Sequence, residues 1–266
     1  MGTVIRLKFS SDPSIAPAQV INTNYVTNVP DKPKHKGEAI TDPNDLVRIS
    51  EAFISKGKFR DNLLFVIGIN AGLRGGELRS LKYGHFINPD GTFKNEVTFV
   101  EEKTSKKNKE TGELIKGKIK TRTIYPNQAI LDAIILYVGD REINLDDWLF
   151  PSESNNKGAG GMEVDSISRV LKATINKELG IKANASSHCL RKTCAYHAQA
   201  TFEKMYPGRD SIAFLQAFLG HADIRSTMSY VGITERNIAD VTCSLNLGMK
   251  SKMNSDRKEE AGSKFA

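Results

Sequence analysis

The chain has 266 residues, with 38 Lys and Arg against 31 Asp and Glu, a net charge of +7. Its 39% hydrophobic and 26% charged content is that of a globular protein of one large domain or two small ones, which excludes collagen-like and low-complexity chains. No run approaches the ~18 consecutive apolar residues of a membrane span. The first residues lack a signal peptide's apolar core, and Cys189, Cys194 and Cys243 make no disulfide framework, so a reducing, cytoplasmic setting is expected. The basic excess fits a polyanionic partner.

Five of the nine prolines (Pro13, Pro17, Pro30, Pro33, Pro43) fall in the first 43 residues, and apolar residues there have no helical period, so 1–41 reads as an extended arm. A helix start follows: Asp42 can cap, Pro43 suits the first helical position, and Leu46, Ile49 and Phe53 recur at helical spacing. A second, apolar helix covers about 61–71 and ends at Gly72, a C-cap. From Gly91 the pattern is that of strands, with Val97 and Phe99 alternating with Glu96 and Thr98, then Ile119, Thr121, Thr123 and Tyr125 alternating with Lys120, Arg122 and Ile124. These strands read as a long hairpin with a basic tip. Residues 101–122 hold eight Lys and Arg against four Glu. Helices are expected over 128–138, 164–178, 187–203, 211–219 and 223–231, followed by an amphipathic stretch carrying Ile238, Val241 and Leu245 and a polar tail over 250–266. The fold class is α+β, mostly helical with a small antiparallel sheet.

Three short blocks carry chemistry. In Ala71-Gly72-Leu73-Arg74-Gly75-Gly76-Glu77 an apolar helix stops at glycine and a new one begins, placing Arg74 near free backbone N–H groups, with Glu77 three residues on to orient the guanidinium. In His188-Cys189-Leu190-Arg191 an imidazole and a guanidinium share one helix face and can donate to two oxygens of one phosphate. In Leu219-Gly220-His221-Ala222-Asp223, Gly220 ends one helix and Asp223 caps the next, leaving His221 exposed in the turn and Tyr230 about two turns into the new helix. Each block alone reads equally well as ordinary surface or packing residues.

Together and in this order, Arg74, His188-x-x-Arg191, and Leu219-Gly220-His221 with Tyr230 nine residues later resemble the tyrosine recombinase (phage integrase) family. The resemblance covers most of the chain and implies an integrase-type catalytic domain over 42–235, a C-terminal helix over 236–249, and a disordered tail. It also implies a site-specific recombinase: Tyr230 attacks a DNA phosphodiester to give a 3′-phosphotyrosyl enzyme, Arg74 and Arg191 clamp the non-bridging oxygens, and His221 adds a donor. His188 resembles the family's general acid/base toward the tyrosine. The family's lysine lies on the hairpin and protonates the leaving 5′-oxygen. Lys103 takes that place in Glu102-Lys103-Thr104, with Lys120 as runner-up and Lys106 and Lys107 as further candidates.

No cofactor and no metal are implied. The implied partners are double-stranded DNA and three further copies of the chain, in a tetramer exchanging C-terminal helices, and no membrane. Lys192 stands where the family often has His, and Gly75-Gly76 replaces a bulkier pair, which is expected to loosen that turn. Family members usually carry a helical core-binding domain ahead of the catalytic one, and residues 1–41 are too few and too Pro-rich for it. DNA is then held by the catalytic domain and a basic arm (Arg6, Lys8, Lys32, Lys34, Lys36), with strong salt dependence. A type IB topoisomerase-like enzyme and a catalytically idle DNA-binding regulator are the competing readings. A zinc module of Cys189, Cys194 and His197 is disfavoured because the two cysteines do not share a helix face.

Overall fold

The computed structural model describes residues 3–7, 38–100, 121–152, 160–221 and 223–231. The chain divides into two units, Met1–Tyr230 and Val231–Ala266, and every element but the last residue of the final helix belongs to the first. In chain order the elements are β1 (Val4–Ile5), α1 (Pro43–Ile54), α2 (Phe59–Ala71), α3 (Gly75–Arg79), α4 (Tyr83–Phe86), β2 (Val97–Val100), β3 (Thr121–Ile124), α5 (Gln128–Val138), β4 (Ile143–Asn144), α6 (Val164–Leu171), α7 (Ser187–Met205), α8 (Ser211–Leu219) and α9 (Ile224–Val231). The fold is α+β, helices carrying two small antiparallel pairs of strands.

Helix α1 begins as its sequence dictates: Asp42 accepts the Asn44 backbone N–H at 2.9 Å, and Pro43 occupies the first turn, where its missing N–H costs nothing. Helix α2 is apolar on nearly every side, so it can only sit in the interior. Leu63, Leu64, Phe65 and Ile67 are fully buried, and α1, α5 and α7 pack around it. Each such side chain contributes about 1.5–3 kcal/mol by leaving water. Where α2 meets α7 there is room only for glycine: a Cβ on Gly68 would lie 2.4 Å from Leu190 Cδ1.

The hairpin forms with Val97 opposite Ile124 and Val100 opposite Thr121, and its tip lies outside the described residues. Along β3 the inner face is that of Arg122 and Ile124, while Thr121 and Tyr125 are exposed. The helix expected over 164–178 is α-helical only through Leu171; Lys172–Glu178 continues it as a π-helix, which Leu179 closes by donating its N–H to Thr174 O at 3.0 Å.

Of the segment read as an arm, residues 3–7 and 38–41 are described, and Leu7 and Ile40 are buried against the domain. Strand β1 pairs with β4. The Ile40 N–H donates to Thr193 Oγ1 at 2.9 Å, and His197 Nε2 donates to Ile40 O at 3.0 Å, so this short stretch is fastened along α7. Of the basic residues assigned to the arm, only Arg6 is among the described residues. None of the helices described is long and apolar enough to cross a membrane.

Candidate active site

Two glycines set the backbone of the site. Gly72 (φ 58°) ends α2 and Gly220 (φ 65°) ends α8, both in the left-handed conformation that L side chains adopt only under strain. Each turn leaves unpaired carbonyls at the end of a helix, where the backbone dipoles concentrate negative charge. Arg191, on α7, fills the space between them. Its Nη1 donates to Gly72 O, and its Nη2 donates to Leu219 O at 2.7 Å and to His221 Nε2 at 3.1 Å. The guanidinium is 1% exposed and has no carboxylate partner among the described residues. Its Nε–H is buried and has no acceptor among them.

The contact with Arg191 also fixes the His221 ring. A guanidinium only donates, so Nε2 must accept, the ring proton resides on Nδ1, and Thr227 Oγ1, 3.1 Å away and fully buried, is its acceptor. His221 was expected to stand exposed in its turn. It is half-buried instead, because both ring nitrogens are held. Asp223 caps α9 as expected, accepting the Arg225 backbone N–H at 2.9 Å.

Beside this cluster, Glu77 grips Arg74 twice, accepting the backbone N–H at 2.7 Å on Oε2 and the guanidinium Nη1 at 2.8 Å on Oε1. This is the orienting role its spacing suggested. Glu77 Oε2 also takes Nη2 of Arg122 at 3.1 Å, and Arg122 Nη1 donates to Phe218 O at 3.3 Å while its guanidinium lies over the Phe99 ring at 5.4 Å. Burial pushes the Glu77 carboxyl up. The Arg122 charge, together with the Arg74 N–H and guanidinium, more than offsets that and holds it below the ordinary carboxylate value.

Arg122 and Arg191 thus bind successive carbonyls, Phe218 and Leu219, at the end of α8, one residue pair ahead of His221. Two guanidiniums, those of Arg74 and Arg122, share the Glu77 carboxylate, and Arg191 lies close by on the Leu219 carbonyl. A Cβ on Gly75 would lie 2.6 Å from Ser187 Oγ, so glycine is what lets α3 approach the start of α7, whereas a Cβ on Gly76 would meet nothing within 4 Å.

Of the residues singled out from sequence, Arg74, Arg191 and His221 are joined to this network. His188 lies in the first turn of α7, exposed, three residues before the buried Arg191. Tyr230 belongs to α9. Lys103, Lys106, Lys107 and Lys120 lie outside the described residues, as do Ile238, Val241 and Leu245. Arg122 was missed as a site residue. The signal that could have found it is the two-residue period of β3, which puts it on the same face as the buried Ile124. Burial pushes the Cys189 and Cys194 thiols up to about 11 and about 12. Among the described residues, no three His, Cys, Asp or Glu come together in a way that could hold a metal.

The chain is 27% identical over 201 residues to the probable integrase/recombinase YoeC of Bacillus subtilis (strain 168), covering 76% of this chain and 92% of that protein. Its fold is similar to that of the Tn1549 transposon integrase in complex with transposon right end DNA, with a TM-score of 0.53 and 16% identity over 80% of this chain and 68% of that one. It is also similar to the XerH site-specific recombinase bound to a palindromic difH substrate in a post-cleavage complex, with a TM-score of 0.50 and 17% identity over 78% of this chain; there the chain spans about half of the other, 53%. At such identities the structural likeness is one of fold. The model of the phage integrase family matches residues 40–236, which is most of the chain, and this protein belongs to that family.

Proposed function

We propose that the chain is a site-specific tyrosine recombinase that cuts and rejoins double-stranded DNA, in integration, excision or resolution. The observation that carries this reading is the cluster of positive charge at the ends of α2 and α8, where a buried Arg191, with no carboxylate partner among the described residues, contacts Gly72 O and His221, and Glu77 orients Arg74 two residues after Gly72. Such a constellation suits a phosphodiester whose charge grows at the transition state, since donors fixed in advance need no reorganisation when that charge develops.

In this reading Tyr230 Oη attacks phosphorus, its proton passes to His188, and the P–O bond to the 5′-oxygen breaks. The 5′-oxygen leaves with a proton from Lys103, or from Lys120 if that residue fills the place. The product is a 3′-phosphotyrosyl enzyme, and attack by a 5′-hydroxyl reverses the sequence on the same or a partner strand. Bond energy is conserved in the ester, so no nucleotide, water or metal takes part. Arg74 and Arg191 donate to the non-bridging oxygens, and His221, held between Arg191 and Thr227, fixes the Arg191 guanidinium. Two DNA sites and four copies of the chain, joined through the stretch after α9, make the proposed assembly, with residues 42–235 as the catalytic domain of each. DNA binding by the isolated chain should fall steeply with salt, log K dropping by about 0.9 per phosphate contact for each tenfold rise.

The test is a nicked duplex pool randomised across its centre, on which strand loss after cleavage traps the covalent intermediate. The wild-type chain should yield a 3′-linked protein–DNA adduct on a denaturing gel, and Tyr230→Phe should yield none. An adduct of unchanged yield in Tyr230→Phe would remove Tyr230 as the nucleophile.

A further inference from the structure

Arg122 is one of the few charged side chains in the interior, and the proposed reaction leaves it without a role. It stands on β3, its side chain is 6% exposed, and it contacts three separate parts of the site: Glu77 Oε2 at 3.1 Å, Phe218 O at 3.3 Å, and the Phe99 ring of the paired strand. Its guanidinium is taken up by Glu77, the Phe218 carbonyl and the Phe99 ring, so its contribution to the reaction passes through a neighbour. That neighbour is Glu77, which is 11% exposed and shared between two guanidiniums, with Oε1 on Arg74 and Oε2 on Arg122.

Glu77 both helps and harms Arg74. Two hydrogen bonds fix the residue, one to its backbone N–H and one to its guanidinium. But a carboxylate salt-bridged to a single guanidinium makes a neutral pair, and a neutral pair has little attraction for an incoming phosphate. We infer that Arg122 is a positioning residue whose charge offsets that of Glu77, so that Glu77 orients Arg74 without cancelling its pull on the scissile phosphate. The trio keeps one net positive charge where the pair alone would have none. The Arg122 charge acts together with the Arg74 N–H and guanidinium to hold the Glu77 carboxyl ionised. The same guanidinium tethers β3 to the end of α8, so the charge-balancing group is held by the strand whose hairpin carries the candidate lysines.

This inference rests on the recombinase reading, and the experiment separates the two. The full chain, its Arg122→Met, Arg122→Gln and Arg122→Lys variants, and the double variant Arg122→Met with Glu77→Gln are compared for single-turnover adduct formation on duplexes recovered from the randomised nicked pool. Binding of the same duplexes is read by fluorescence anisotropy, and folding by thermal melting. The neutral single variants should form the adduct roughly ten- to a hundredfold more slowly with binding unchanged, because a donor of transition-state stabilisation has been weakened and not a ground-state contact. Arg122→Lys should keep most of the rate, and the double variant should recover most of what Arg122→Met loses, since removing the Glu77 charge restores the balance.

A tether of β3 to α8 would not be mended by a change at Glu77. Absence of rescue in a folded double variant therefore overturns the inference, as does a neutral variant with wild-type rate. If the neutral single variants do not fold, a double variant that folds and cleaves supports it, and one that does not fold or does not cleave sinks it. Failure of the wild-type chain to give a Tyr230-dependent adduct counts against the recombinase reading itself.

Discussion

At the scale of single residues, the site depends on which nitrogen carries a proton. Arg191 can only donate to His221, so the ring must direct its own N–H toward Thr227. Replacing Thr227 by Val leaves that N–H unpaired in the interior, at a cost of about 1–3 kcal/mol, and lets the ring turn away. We expect Thr227→Val to slow adduct formation roughly tenfold, the equivalent of about 1.4 kcal/mol, and Thr227→Ser to stay near the wild-type rate. A single-turnover time course on the trapped duplex measures both, and equal rates for Val and wild type would show that the hydroxyl does not set the ring. Little of this was legible in the sequence. The spacing from His221 to Tyr230 identified the block, but a hydroxyl's partner depends on how two helices meet, and no periodicity records it.

Among the elements, what the sequence revealed best is what is built locally. The Asp42 cap, the left-handed Gly72 and Gly220, and the Asp223 cap all engage neighbours within a few residues, so composition alone points to them. Arg122 escaped because its partners are 45 and 96 residues away in the chain, and a basic residue on a short strand beside a lysine-rich tip reads as solvent-facing. The close crossing of α2 and α7 was equally hidden. Gly68 looks like a defect in an apolar helix, yet it is the point at which Leu190 nests. Gly68→Val should force these helices apart at a cost of about 1–3 kcal/mol, seen as a lower denaturant midpoint with an unchanged m-value. It should also slow adduct formation beyond any loss of folded protein, because Gly72 and Arg191 ride on the two helices being separated. A variant as stable as wild type would mean the crossing can adjust.

At the scale of the whole molecule, three half-buried groups among the described residues make stability fall in acid. His85 and His197 are held below the usual histidine value chiefly by burial, and Glu77 is held below the usual carboxylate value once its arginine contacts outweigh burial. In each case the unfolded chain binds protons more readily than the folded one, so the stability is full above the unfolded pKa and is lost as pH falls. The loss should begin below about 6.5 through the histidines and continue below about 4.5 through Glu77. Denaturant melts across this range should show it, and His197→Gln should flatten the upper part, whereas an unchanged slope there would acquit His197. The most distant contacts also say something about the order in which the protein is made. Arg191 closes the site by reaching back 119 residues to Gly72, and Thr193 holds Ile40 across 153. At roughly 5–20 residues per second, on the order of ten seconds of synthesis separate Gly72 from the arginine that completes its surroundings. A nascent chain therefore carries the first arginine of the cluster long before the last, and the phosphate-gripping centre comes into being only with the last third of the domain.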